Sequence, residues 1–221
     1  MSKQTVRRAR AKRIVAHLKK VYPEPKSELV HKTPFQFLVA VVMSAQCTDK
    51  VVNRVTAPLF KKYKTASDFA QAKASVFEKE ISSVTFFRNK ARHIIESAKK
   101  VVTEYGGRVP ETEKELVALP GVGYKTAHVI LNELYGVSEG IPTDTHVKRF
   151  AKRFDLVDSS DLKKISKELE ALIPKKDWKY VNNGLVLYGR YVCKAQKHDC
   201  TSHPLTKLWP EANKRWTKTG A

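Results

Sequence analysis

Two short helical segments, residues 116–119 and 126–135, are joined through Pro120-Gly121-Val122-Gly123. Proline ends the first, and glycines at alternate positions admit backbone angles closed to other residues. Two helices joined so tightly form a helical hairpin. The glycines also let the backbone approach an external group closely, while the second helix begins with unpaired N–H groups. Together these features make an anion site, and the anion that fits is a DNA phosphate held by backbone amides without base readout. An ordinary helix–helix turn is the alternative that this segment alone leaves open.

Apolar residues recur with helical spacing through most of the chain. Residues 8–21 place Ile14, Val15 and Leu18 on one side of a basic helix that ends before Pro23 and Pro25. Its polar side is a solvated face or lies along a phosphate backbone. The apolar run from Pro34 to Met43 predicts a core helix stopped at the polar turn Ser44-Ala45-Gln46-Cys47-Thr48-Asp49. Asp49 is placed to cap a helix over 51–60, and Thr65 or Ser67 the one after. Residues 89–102 form another helix, and Thr112 with Glu115 fits a capping box. After Gly136, helices are expected over 145–154, 161–173 and 178–193, with 198–210 the least regular stretch. No segment alternates as a strand does, so the fold class is all-α.

The chain's 42 Lys and Arg against 22 Asp and Glu give a formal charge of +20, a surplus that attracts a polyanion. Nucleic acid is the expected partner; a ribosome-associated or simply very soluble protein is the blander alternative. No apolar run reaches the length of a membrane span, and the first residues lack a signal-peptide core, so no membrane partner and an intracellular location are expected, cytoplasm or nucleoid in a prokaryote and nucleus in a eukaryote. Three cysteines, Cys47, Cys193 and Cys200, cannot all pair within one chain.

Lys125 follows the glycine turn directly. The positive end of a helix disfavours a lysine cation and favours the neutral amine that a nucleophile needs. A plain phosphate ligand is the competing role. Asp144, in Ile141-Pro142-Thr143-Asp144-Thr145-His146, precedes the next helix and is either its N-cap, a carboxylate that favours positive charge developing at a deoxyribose C1′, or both.

From about Ile14 to Cys200 the chain resembles the endonuclease III family of helix-hairpin-helix DNA glycosylases. The resemblance rests on Ser44-Ala45-Gln46-Cys47-Thr48-Asp49, on Leu119-Pro120-Gly121-Val122-Gly123-Tyr124-Lys125-Thr126-Ala127, on Asp144-Thr145-His146, and on Leu187-Tyr188-Gly189-Arg190-Tyr191-Val192-Cys193. It implies two helical domains, residues 1–33 with 136–221 and residues 34–135, with a DNA-binding cleft between them. It further implies a monomer acting on damaged double-stranded DNA as a glycosylase and abasic-site lyase, oxidised pyrimidines being the family's usual substrates. Lys125 would attack C1′ to form a Schiff base that leads to β-elimination, with Asp144 as the catalytic carboxylate. Gln46 and Phe86 would fill the gap left by the extruded base, with DNA contacts from Asn89, Lys90, Gly121, Gly123, Thr126 and His146. A core position for Phe86 and a packing role for His146 are the competing readings. A mismatch, uracil or alkyl-base glycosylase is the nearest alternative function, and a noncatalytic DNA-binding protein the alternative from another class.

The chain departs from the family at its end. A four-iron four-sulfur cluster there requires C-x6-C-x2-C-x5-C, whereas Cys193 and Cys200 are followed by His203 and Trp209. Tryptophan cannot ligate iron, so the four-cysteine cluster is expected to be absent and no cofactor is expected. Cys193, Cys200 and His203 could hold zinc with an outside ligand such as His198, but local crowding favours a metal-free loop packed through Leu205, Leu208 and Trp209. Val117 and Tyr124 also replace a glutamate and an arginine found in relatives, which weakens any transfer of the preferred base.

Overall fold

The computed structural model describes residues 2–216, which are helical with no strand among them. In chain order the helices are α1 (Lys3–Val21), α2 (Pro34–Ser44), α3 (Asp49–Lys62), α4 (Ala66–Ala70), α5 (Ala74–Glu80), α6 (Phe87–Tyr105), α7 (Glu113–Val117), α8 (Tyr124–Tyr135), α9 (Thr145–Arg153), α10 (Leu162–Leu172), α11 (Leu185–Tyr191) and α12 (Pro204–Leu208). Ser27–Val137 forms one compact unit, and the described segments on either side of it form the other.

The inner unit is built around α2, whose residues from Phe35 to Met43 are all buried. Pro34 sits in its first turn, where a missing N–H is harmless, and Thr33 caps it through the Gln36 amide. Phe69 of α4 and Phe77 of α5 close one side in edge and stacked contacts with Tyr63. The same core takes in Ala91, Ile94, Ala98 and Val101 of α6, which packs against α2, α4 and α5, and Ile130 and Leu131 of α8. Left-handed glycines, Gly106 and Gly136, end α6 and α8.

The outer unit packs Ile14, Val15 and Leu18 of α1 with Val147 and Phe150 of α9, Ile165 and Leu169 of α10, and Tyr188 of α11. Asp161 caps α10.

Several boundaries differ from the sequence expectation. Thr48, not Asp49, is the cap of α3; Asp49 falls inside the first turn, where its charge complements the positive helix end. The short helix α5 carries too few residues to show a period, yet it buries Phe77 completely. The helix expected over 178–193 widens into a π-helical stretch at Tyr180–Gly184 before α11. There Tyr180 and Asn183 donate to the Pro23 and Pro25 carbonyls, contacts that no local pattern encodes. Residues 198–210 are more ordered than expected, because Pro204 and Pro210 each open a short helical turn that buries Leu205 and Ala212.

Candidate active site

The hairpin joins α7 to α8. Thr112 caps α7 by accepting from the Glu115 amide, and its hydroxyl donates to the Glu115 carboxylate at 2.7 Å. Glu113 of α7 and His128 Nε2 of α8 meet at 2.6 Å, which pins the two helices together, and within α8 the Tyr124 ring packs 4.2 Å from that of His128. Leu119 and Val122 anchor the turn in the core. Helix α6 braces it from behind: the Ser97 hydroxyl donates to the Pro120 carbonyl at 2.7 Å and Lys100 donates to that of Ala118.

The two turn glycines differ in kind. Gly121 has φ +78°, and a methyl group there would meet His93 Cβ at 2.9 Å. Gly123, the residue that caps α8, has an ordinary φ of −90°, and a methyl group there would meet nothing within 4 Å. Nothing inside the described protein requires Gly123 to be bare, whereas an approaching external group would. Lys125 is exposed two residues further on, with no hydrogen bond or ion pair among the described residues. Thr126 beside it is half-buried.

Gln46 and Phe86 share an unusual feature: both are exposed, non-glycine residues in the left-handed region, at φ 53° and 58°. For an aromatic residue that conformation is strained, and strain of this kind collects at functional positions. Phe86 is 60% exposed while Phe87 packs against the core, so the core position belongs to Phe87. Asn89 is exposed on the first turn of α6.

Lys90 is not a surface cation. It is 6% exposed, and its ammonium donates to the carbonyls of Met43, at 2.8 Å, and Ala45 at the end of α2. Burial lowers its pKa. With its donors directed inward it straps the turn carrying Gln46 to the helix that follows Phe86, which corrects the expectation of a DNA contact. Spacing alone could not reveal this, since a lysine on a basic helix is by default solvated.

Asp144 caps α9. Its Oδ1 accepts from the amides of His146 and Val147 at 2.8 and 2.9 Å, while Oδ2 has no hydrogen-bond partner among the described residues. The capping role is therefore present, and one oxygen remains for other chemistry. His146 is half-buried and packs against Gly189 of α11, where a methyl group would collide with His146 Nδ1 and Arg149 Nη2. Arg149 is buried behind them; its Nη2 donates to the Cys193 carbonyl at 2.9 Å, and burial lowers its pKa against the opposing pull of Cys193 and Asp144. Sequence reasoning missed Arg149, and its signal, an arginine that with Arg153 lies on the buried side of α9, is visible only once the helix is placed.

In the same outer unit Cys193 and Cys200 are buried, and both sulfurs accept from the Arg153 guanidinium, at 3.0 and 2.8 Å. The fourth position of the family's cluster pattern, Trp209, stacks under Arg10 at 3.9 Å and offers no ligand atom. These residues do not fit a four-thiolate iron–sulfur cluster.

A sequence model of the HhH-GPD superfamily of base excision DNA repair proteins matches residues 39–175. Endonuclease III of Bacillus subtilis (strain 168) is 43% identical over 196 residues, which span 88% of this chain and 89% of the relative. The fold is similar to that of a non-covalent endonuclease III–DNA complex, with a TM-score of 0.85 and 40% identity over 97% of this chain and 98% of the other. A trapped endonuclease III–DNA covalent intermediate gives the same TM-score and identity over 98% of this chain and 100% of the other.

Proposed function

Because the chain belongs to the endonuclease III family, within the HhH-GPD superfamily of base excision DNA repair proteins, we propose that it excises damaged bases from double-stranded DNA and cleaves the abasic site, with Lys125 as nucleophile and Asp144 as catalytic carboxylate. The observation that carries this reading is an exposed Lys125, with no partner among the described residues, two residues beyond a glycine turn with space beside Gly123. A monofunctional glycosylase that activates water needs no amine there.

The chemistry runs in balanced steps. The neutral Lys125 amine forms a bond to C1′ as the glycosidic C–N bond breaks, and the base leaves with the bonding pair and takes up a proton. Opening of the C1′–O4′ bond, with a proton taken up at O4′ from solvent, converts the adduct to a protonated Schiff base. Loss of a C2′ proton expels the 3′ phosphate by β-elimination, and water releases the lysine. Asp144 favours the positive charge that develops at C1′ and assists proton movement from the amine. No dissociable cofactor enters any step.

Gln46 and Phe86 fill the stack around the extruded nucleotide. An exposed aromatic on a strained turn suits stacking against an orphaned base, worth about 1–3 kcal/mol. Asn89, Gly121, Thr126 and His146 contact the backbone around it. Oxidised pyrimidines are the substrate class proposed, and the four-cysteine cluster is not part of this enzyme.

Borohydride trapping tests the reading. Wild-type protein should become covalently attached to an abasic duplex, and Lys125→Ala should not. Asp144→Asn keeps an effective helix cap, so it should retain DNA binding and lose excision. A wild-type protein that binds the duplex without forming the adduct would return the chain to a binding module.

A further inference from the structure

Four ligand-bearing side chains meet in the outer unit between α11 and α12. Cys193, Cys200 and His203 bring two sulfurs and a ring nitrogen within 4.8 Å of one another. His198 lies beside them, with Nε2 3.9 Å from Cys193 Sγ and its ring centroid 5.1 Å from that of His203. Bond lengths of about 2.3 Å to sulfur and about 2.0–2.1 Å to nitrogen imply, for a tetrahedral zinc ion, sulfur–nitrogen edges of about 3.5 Å and imidazole centroids about 5.2 Å apart. Cys193, Cys200 and His203 thus stand close to the spacing the ion needs, and His198, next to Cys193 and His203, completes the set by turning in towards the other three.

The nitrogen lone pairs are available. His198 Nδ1 is 2.7 Å from the Gln196 carbonyl, which can only accept, so Nδ1 donates there and Nε2 is left as the ring atom that faces Cys193. His203 Nδ1 is buried with no hydrogen-bond partner among the described residues. A buried ring nitrogen left without a partner calls for an explanation, and a metal ion supplies one. The sulfurs already accept from Arg153, which is fully buried and has no carboxylate partner among the described residues. Hydrogen bonds donated to sulfur in this way are what orient and stabilise metal-bound thiolates.

We propose that Cys193, His198, Cys200 and His203 bind a single structural zinc ion that fastens the segment between α11 and α12. Two thiolates with two imidazoles in tetrahedral array select zinc, and three of the four donors lie where the family's cluster ligands begin while His198 does not. The metal-free loop expected from sequence gives way, because the crowding that argued against four-fold geometry is the convergence that the site requires. The ion lies outside the chemistry proposed for Lys125, so the inference stands whether or not that chemistry does.

Metal analysis of the full chain, purified without chelator, tests it. The expected result is near-stoichiometric zinc without stoichiometric iron or sulfide, and cobalt exchange should give the intense visible bands of a tetrahedral thiolate site. Chelation should lower the melting temperature of the wild type, since an ion that binds only the folded state stabilises it by mass action. Cys200→Ser and His203→Ala should each lose the metal. Should those variants fold poorly, His198→Gln, at a half-exposed position, should weaken zinc binding in a competition titration with unchanged circular dichroism. Wild-type protein that neither contains zinc nor takes it up in that titration would overturn the proposal. So would stoichiometric iron and sulfide, or full zinc affinity in both Cys200→Ser and His198→Gln.

Discussion

Gly121 and Gly123 stand two residues apart and answer to different demands. Gly121 combines a left-handed backbone with a wall made by His93, so any side chain there is strained twice over. Gly123 has neither constraint among the described residues. Gly121→Ala should therefore destabilise the fold by about 1–3 kcal/mol, as positions of strained backbone do. Gly123→Ala should leave the urea midpoint nearly unchanged and weaken binding to an abasic duplex by about tenfold or more, the equivalent of roughly 1.4 kcal/mol. Unaltered DNA affinity in a folded Gly123→Ala would remove the phosphate from the hairpin. At this scale the sequence was most informative where a residue type admits few uses. Alternating glycines before a lysine mark a turn that meets something, and an aromatic pair at 86 and 87 must divide between core and solvent. It was least informative for Lys90 and Arg149, because whether a cation faces water or a carbonyl depends on what packs against its helix.

Helices were legible from caps and period, and the relations between helices were not. Thr65, one of two candidates, Thr112 and Asp144 each cap a helix as the sequence suggests, and Thr33 and Asp161 cap helices for which the sequence marked only the apolar stretch. What the pattern does not carry is that α6 serves three neighbours at once. Its Ser97 and Lys100 hold the hairpin, its N-terminus presents Phe86, and its Lys90 holds the end of α2 beside Gln46. Such a helix couples the residues proposed to fill the DNA stack to the turn proposed to grip the backbone. Lys90→Met should leave the Met43 and Ala45 carbonyls without their donor, at about 1–3 kcal/mol of stability. The functional effect should be selective: excision of a damaged base, which requires the stack to be opened and filled, should slow more than cleavage of a ready-made abasic site. Equal losses in the two assays, after correction for the folded fraction, would reduce Lys90 to a purely structural role.

At the scale of the molecule, the outer unit is assembled from segments remote in sequence, and a charged network joins them. Arg7 of α1 is buried and reaches both Asp155 and Asp158, at 3.0 and 2.7 Å; Arg10 and Arg215 also pair with Asp155. The basic face of α1 thus includes arginines turned inward, which composition could not separate from the many lysines left in solvent. For Asp155, burial alone would raise the pKa, but hydrogen bonds from Arg7, Arg215 and Arg10 prevail and lower it; Asp158 is held well below the carboxylate range mainly by Arg7. Carboxylates that bind protons more weakly when folded contribute fully above their unfolded pKa, about 3.9, and that contribution is lost as pH falls through the depressed range below it. Asp158 is exposed and contributes little, so the effect rests on Asp155. The part of the melting temperature that Asp155 supplies should be flat from neutral pH to about 5 and then fall, below an earlier loss that sets in near pH 6.5 as His17, whose pKa burial lowers, is protonated. Every carboxylate lost in acid also adds to the self-repulsion of a chain already at +20, so the decline alone identifies no partner. The informative quantity is the difference between wild type and Arg7→Met. The variant should melt lower at neutral pH and approach the wild type as the pH drops towards 3, because protonation removes the partner that Arg7 would have held. Parallel curves at a constant offset would show that Arg7 stabilises α1 by packing alone.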